Sequence, residues 1–284
     1  MEVVATRDDL RKATEAARSA GRRVGLVPTM GALHRGHVSL FEVARAGCDL
    51  VVATVFVNPL QFGSADDLEK YPRNCSGDLA VASDAGVDVV FAPSVDEMYP
   101  TGSPSTTVQP GAMADRLEGA SRPGHFAGVA TVVTKLFSLV GPSRAFLGEK
   151  DFQQLVIVRR LVADLELPIE IIGCPTVREE DGLACSSRNA RLSRAERAAA
   201  PVLSRALWAA SAVMAVGVSD PQKIEWCMHE VMCEEKLAVV DYAVVVDPNS
   251  LERPSMIEGE VRLLIAANFG AVRLIDNLGA RARP

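Results

Sequence analysis

Over the first ~175 residues, short apolar runs rich in valine and isoleucine alternate with longer stretches whose apolar positions fall at helical intervals. The runs at 24–27, 50–57, 87–92, 145–147 and 169–173 are too short for globular helices and are bounded by Gly, Pro or Asp, so they predict buried strands. Between them, 36–46, 78–85, 129–140 and 151–165 predict helices, each with an apolar stripe to cover a sheet face. Strands alternating with helices predict an α/β fold, a Rossmann-like doubly wound parallel sheet with right-handed crossovers.

The stretch 99–124 carries Pro100, Gly102, Pro104, Pro110, Gly111, Pro123 and Gly124, too many breakers for one long element, and reads as irregular with a short strand at 106–109. After Cys174-Pro175 the texture changes. A polar, arginine-rich loop over 178–194 leads to an alanine-rich helix at 195–216 and another at 221–237. Strands are predicted at 240–246, 262–267 and 271–275, with a hairpin turn at Asn268-Phe269-Gly270. The expected organisation is a large domain over 1–176 and a smaller α+β C-terminal domain over 177–284.

Composition narrows the function classes. Hydrophobic residues at 48% and charged residues at 23% are ordinary globular usage, which excludes a disordered or fibrous chain. A net charge of −6 and a pI near 5.4 argue against a broad nucleic-acid surface, so any anion site must be local. The six cysteines show neither Cys-x-x-Cys spacing nor a disulfide framework, which fits reduced thiols in the cytoplasm. The first ten residues lack the charged-then-apolar pattern of a leader, and no uncharged run reaches membrane-spanning length, so neither secretion nor a membrane is expected.

The most informative stretch is Pro28-Thr29-Met30-Gly31-Ala32-Leu33-His34-Arg35-Gly36-His37, where an apolar strand hands over to a helix. Free backbone N–H groups and the helix dipole favour an anion there, and Gly31 and Gly36 admit a ligand close to the backbone. His34 and His37, three residues apart, can share one face and offer two donors to phosphate oxygens. The plain alternative is a pair of surface or N-capping histidines. Zinc lacks a third ligand at a recognisable spacing.

Three further segments are polar at element ends. Gly148-Glu149-Lys150-Asp151 follows a predicted strand and opens a helix, as a nucleotide contact or a charged cap. Cys185-Ser186-Ser187-Arg188-Asn189 lies in the polar loop at the domain boundary, as a phosphate-binding segment or a solvated linker. Asn58-Pro59-Leu60-Gln61 closes a strand with two amides suited to a hydroxy acid, or is ordinary turn chemistry.

His34-Arg35-Gly36-His37 resembles the His-x-Gly-His signature of the nucleotidyltransferases that include class I aminoacyl-tRNA synthetases. With Phe56-Val57-Asn58-Pro59-Leu60-Gln61-Phe62, Lys70-Tyr71-Pro72-Arg73, Gly148-Glu149-Lys150-Asp151, Ser186-Ser187-Arg188-Asn189 and Asp276-Asn277, the chain resembles the pantothenate synthetase family. That resemblance implies a homodimeric ligase that converts pantoate and ATP to pantoyl adenylate and pyrophosphate, after which β-alanine displaces AMP. Mg²⁺ would ride mainly on the ATP phosphates, with no protein metal ligand assigned.

The resemblance implies His37, His34 and Lys150 as catalytic groups. Nucleotide contacts would come from Pro28, Thr29, Met30, Gly31, Gly36, Gly148, Asp151 at the ribose, Val177, Cys185, Ser186, Ser187 and Arg188. Gln61, Gln154 and Met30 would bind pantoate, with Asn58 toward the amine, and the 177–284 domain would act as a lid. Cys185 stands where methionine is more familiar, so only a backbone or packing role carries over. Of the more acidic segment usual near 74–78, only Asp78 remains. The competing readings are another nucleotidyltransferase and a non-catalytic nucleotide-binding module.

Overall fold

A computed structural model describes residues 1–63, 68, 69 and 71–282, so Lys70 of the resemblance motif lies outside the described residues. The chain divides into two compact units, Met1–Glu149 with Gln153–Pro175, and Lys150–Phe152 with Thr176–Pro284.

Among the described residues the first unit contains strands β1 (Glu2–Val4), β2 (Val24–Val27), β3 (Leu50–Thr54), β4 (Val89–Phe91), β5 (Ser143–Gly148) and β6 (Ile169–Cys174). They form one sheet in the order β1-β4-β3-β2-β5-β6, every neighbouring pair parallel, as the alternating pattern predicts. Strands β2, β3 and β4 are buried along their whole length, which is why they read as continuous apolar runs rather than alternating ones. Its helices are α1 (Arg7–Ser19), α2 (Arg35–Gly47), α3 (Cys75–Asp84), α4 (Val95–Met98), α5 (Glu118–Ser121), α6 (His125–Val140) and α7 (Phe152–Asp164). Strand order reverses at β2, with β3 and β4 on one side and β5 and β6 on the other. In such sheets ligands bind beyond the carboxyl ends of the strands at the reversal, and β2 ends in the loop that carries the two histidines.

The sequence pattern missed β1 and α1. Residues 106–109 are not a strand: the Val108 N–H is satisfied by the Thr131 hydroxyl at 3.0 Å, so that backbone needs no ladder. Helix α6 begins four residues before position 129, directly after Gly124, whose φ of +79° ends the preceding turn.

The second unit carries the antiparallel sheet β7 (Ala238–Val246), β8 (Glu260–Phe269) and β9 (Val272–Arg281), in that order, with helices α8 (Arg194–Ala199), α9 (Val202–Ala215) and α10 (Pro221–Cys233). The single helix expected over 195–216 is therefore two, because Pro201 has no N–H to continue the ladder of α8 and sits instead at the start of α9. The hairpin turns at 270–271 rather than 268–270, and Gly270, with φ +56°, takes the first turn position. Ile224, Met228 and Met232 recur every four residues on α10 and pack with Leu203, Leu207, Val245, Leu263 and Phe269 into this unit's core. Arg194–Ala215 is long and apolar enough to cross a membrane by length and composition alone, yet 56% of its most apolar 18-residue stretch is buried inside the structure, as in a core helix.

Candidate functional site

The loop after β2 is pinned to its neighbours by side chains. The Thr29 N–H donates to the Thr54 hydroxyl at 3.0 Å, and that hydroxyl donates back to the Thr29 carbonyl at 3.2 Å. The Asp78 carboxylate, 4% exposed, accepts the Ala32 N–H at 3.0 Å and the Leu33 N–H at 2.7 Å. A buried carboxylate without partners would be costly, and here two amide dipoles answer it. Gly31 has φ +83°, and a Cβ at that position would stand 2.7 Å from Asp78 Oδ2, so both conformation and space demand glycine.

The loop delivers the histidines as the cap of α2. His34 Nδ1 accepts the Gly36 N–H at 3.1 Å and His37 Nδ1 accepts the His34 N–H at 3.3 Å, with the ring centroids 4.2 Å apart. A ring nitrogen that accepts carries no proton, so in each neutral ring the proton sits on Nε2. This differs from the expectation of free amides at the helix start, because the Gly36 N–H is engaged by a ring. The capping and anion-binding readings are thus compatible: capping through Nδ1 fixes which nitrogen is the donor.

Asn58 and Gln61 are 1% and 7% exposed, at a 3-10 turn, Pro59–Gln61. The Asn58 amide donates to Gln61 Oε1 at 3.0 Å and to the Gly128 carbonyl at 3.1 Å, and its oxygen accepts from the Tyr99 hydroxyl at 2.8 Å. Burial pushes the Tyr99 phenol far above its ordinary value, so it stays a donor. The amide contacts turn the Gln61 side chain so that its NH₂ end is the one aimed away from Asn58. His125 Nδ1 meets the Gln61 carbonyl at 2.9 Å and Arg122 donates to the same oxygen at 3.3 Å. A Cβ on Gly128 would overlap the Leu60 carbonyl, so α6 can approach this turn only through glycine.

The adjacent glutamines of α7 separate by use. Gln153 is 4% exposed and fastens the 113–118 segment, accepting the Glu118 N–H at 3.0 Å and donating to the Met113 and Arg116 carbonyls at 3.0 and 2.8 Å. Gln154 is half-buried, and among the described residues its side chain has no hydrogen-bond partner. Cys174, which ends β6, is inert: burial, reinforced by Glu149, pushes its thiol up to about 11.

In the second unit, Lys150 is 16% exposed at its side chain and lies 3.7 Å from Asp151. The 177–191 loop folds back on itself through Cys185 N–H to Val177 carbonyl at 2.9 Å and Glu179 N–H to Leu183 carbonyl at 2.8 Å. Arg197 of α8 braces it, donating to Glu179 at 2.7 Å and Asp181 at 2.5 Å. Arg178 of the same loop grips the buried Asp276 with both terminal nitrogens, at 2.6 and 3.0 Å. Ser187–Arg191 forms a 3-10 turn capped by the Ser186 hydroxyl, which accepts the Arg188 N–H at 3.2 Å. Cys185 is buried, in keeping with a packing role.

Among the described residues, no three His, Cys, Asp or Glu side chains cluster as a metal site. The sequence profile of the Pantoate-beta-alanine ligase family matches residues 2–279. The chain belongs to this family. It is 51% identical over 278 residues to the pantothenate synthetase of Sinorhizobium medicae, covering 98% of this chain and 95% of the relative. The crystal structure of pantothenate synthetase from Thermus thermophilus superposes with a TM-score of 0.91 at 49% identity, over 98% of this chain and 99% of that one. A Francisella tularensis pantoate-beta-alanine ligase complexed with Beta-gamma ATP and Beta-alanine follows at 0.80 and 33%, over 98% and 97%. The family's members form an amide bond. The sequence marked Asp78 only as the acid that remains near 74–78, and it gave Arg122 and His125 no tie to Gln61. Their roles as grips on Gln61 and on the histidine loop were written only in contacts between distant segments.

Proposed function

We propose that the chain condenses pantoate with β-alanine at the expense of ATP. The pantoate carboxylate attacks the α-phosphorus and the bond to pyrophosphate breaks; the β-alanine amine then attacks the acyl carbon and AMP leaves. Two Nε2–H donors would face the phosphates from His34 and His37, aimed where negative charge moves in the first step, and Lys150 would serve as a compact cation for the phosphates. Backbone from Pro28, Thr29, Met30 and Gly31, with Gly36 and Gly148, would line the nucleotide, and Asp151 would meet its ribose. Val177, Cys185, Ser186, Ser187 and Arg188 supply the second phosphate-binding segment, where Ser187 and Arg188 have no side-chain partner among the described residues. Gln61 and Gln154 would bind pantoate. Asn58, whose amide is committed to Gln61, Gly128 and Tyr99, would serve the amine site by orienting Gln61.

The observation that carries this reading is the histidine pair, rings 4.2 Å apart, with both Nδ1 atoms committed to backbone N–H groups. The structure of the Francisella relative with a nucleotide and β-alanine supports the choice of substrates. The resemblance also implies Mg²⁺. Each Asp78 oxygen accepts a loop N–H, from Ala32 or Leu33, and the ion would ride mainly on the phosphates. A homodimer and a cytoplasmic location belong to the same proposal.

The test mixes ATP with pantoate, with and without β-alanine, and follows pyrophosphate and AMP separately. Pyrophosphate in the first mixture and AMP only in the second is the expected result, and His37→Ala should slow the first step about 10²–10³-fold. Pyrophosphate without AMP release would mark a nucleotidyltransferase, and neither product would mark a binding module.

A further inference from the structure

Lys150 interrupts the first unit. Glu149 and Gln153 belong there, while Lys150–Phe152 groups with the second unit, and the contacts responsible are specific. The Asn277 amide, 3% exposed on β9, donates to the Lys150 carbonyl at 2.8 Å across 127 positions of sequence. Asn277 Oδ1 accepts from Arg262 Nε at 2.7 Å, and the Arg262 guanidinium lies over the Phe152 ring at 4.1 Å. The Asn277 N–H donates to Asp276 Oδ1 at 2.7 Å, and Asp276 receives the Arg178 fork. Arg178 in turn donates to the Gly182 and Asn277 carbonyls, at 2.9 and 3.3 Å. One run of hydrogen bonds, most of them half-buried, therefore starts at the backbone of Lys150 and ends in the 177–191 loop.

We propose that Asn277 is a positioning residue for the adenylation step, holding the Lys150 backbone so that its ammonium meets the nucleotide phosphates in fixed register with the 177–191 loop. The proposal rests on the reading of Lys150 as a phosphate contact. Its chemistry is simple: a lysine side chain has four rotatable carbons, so its charge is placed only as well as the backbone that carries it. The Asn277 NH₂ donates to the Lys150 carbonyl, and Arg262, by donating to the amide oxygen, fixes which end of that amide faces Lys150. A partner that acts through another residue should lose its effect once that residue is gone.

The test measures pantoate-dependent ATP–pyrophosphate exchange in the full chain for Asn277→Asp, Lys150→Ala and the double variant. Asn277→Asp keeps the acceptor for Arg262 and replaces only the donor. It should lower kcat about 10-fold with the pantoate KM unchanged, a smaller loss than the roughly 10²-fold that a misplacement of about 1 Å can cost. Lys150→Ala should lose about 10²–10³-fold, and the double variant no more than Lys150→Ala alone. Asn277→Ser, which removes the donor to Lys150 and the Arg262 acceptor together without adding a buried carboxylate, repeats the measurement if the aspartate variant does not fold. Single losses that multiply in the double variant, or wild-type exchange in Asn277→Asp, would overturn the proposal. Wild-type exchange in Lys150→Ala would instead overturn the reading of Lys150 on which it rests. Failure of both Asn277 variants to fold would make this residue a determinant of folding and also defeat the proposal.

Discussion

The 28–37 loop of the first unit and the 177–191 loop of the second are each held by a buried aspartate, and they are held by opposite means. Asp78 accepts two backbone N–H groups of its loop, from Ala32 and Leu33. Asp276 instead takes the fork of a charged side chain, Arg178, plus the N–H of its own neighbour Asn277. Amide acceptance holds the backbone directly and introduces no second charge. An ion pair at 1% and 18% side-chain exposure fixes a loop through one long side chain and buries two charges, each of which is costly without the other. The contrast predicts that Asp276 matters more to stability and Asp78 more to rate.

The largest effect should come from Asp276→Ala, which leaves the Arg178 guanidinium partly buried without its counter-ion. A loss of about 3–5 kcal/mol in urea unfolding is expected, in line with broken buried pairs elsewhere. Arg178→Met with Asp276→Ala should cost clearly less than the sum of the two single changes, since both charges are then gone. A loss under about 1 kcal/mol for Asp276→Ala would remove the distinction between the two anchors.

Next in size is Asp78→Asn, which exchanges one charged acceptor for an NH₂ that faces a backbone N–H. Hydrogen bonds to charged groups contribute about 1.5–3 kcal/mol, so a stability loss near 2 kcal/mol is expected. The rate of pyrophosphate formation should fall at least about 10-fold, because the loop that carries His34 and His37 loses its register. An undiminished rate in a destabilised Asp78→Asn protein would make this residue the same kind of device as Asp276.

These anchors were the least legible part of the chain. The buried strands and most helices could be read from periodicity, since an apolar run such as β2 or the repeat along α10 is a local signal. The histidine pair was equally local, three residues apart beside two glycines. Strand β1 was missed because it is only three residues long, and α1 because its buried face is Leu10, Thr14 and Ala17, two of which are weak hydrophobic markers. Asp78 meets its loop 45 and 46 positions away, and Arg178 meets Asp276 across 98. No periodicity in one sequence encodes such pairings. Asn58 shows the same limit: its turn was visible, but the Tyr99 hydroxyl and Gly128 carbonyl that commit its amide come from elements 41 and 70 positions on.

A smaller effect tests how closely the first loop fits its anchor. Gly31→Ala places a left-handed conformation on a residue with a Cβ, at about 1–2 kcal/mol, and presses that carbon on Asp78. Because the contact is to Asp78 Oδ2 itself, Gly31→Ala and Asp78→Asn should be less than additive in thermal or urea unfolding. Strict additivity would mean that the loop and the carboxylate do not set each other's position.

The smallest predicted effect is acid loosening of the second loop alone. Burial would raise the Glu179 carboxyl, but hydrogen bonds from Arg197 and Asn189 outweigh it and hold the group below its ordinary value. At Asp181 the Arg197 hydrogen bond dominates and also lowers it, against a weaker effect of burial. A carboxyl depressed on folding stabilises the folded chain fully above its unfolded value, and that contribution is lost as pH falls through the folded value. The loss therefore lies below the ordinary carboxylate range of about 4, and side-chain exposures of 35% and 43% keep it small. Hydrogen exchange at the Cys185 amide, which bonds to Val177, should show less protection near pH 3 than near pH 6 after correction for intrinsic rates. Arg197→Met should flatten that difference, since the cation that depresses both carboxyls is gone. Equal protection at both pH values in the unsubstituted chain would mean that the loop is held by Arg178 and Asp276 without help from the Arg197 cluster.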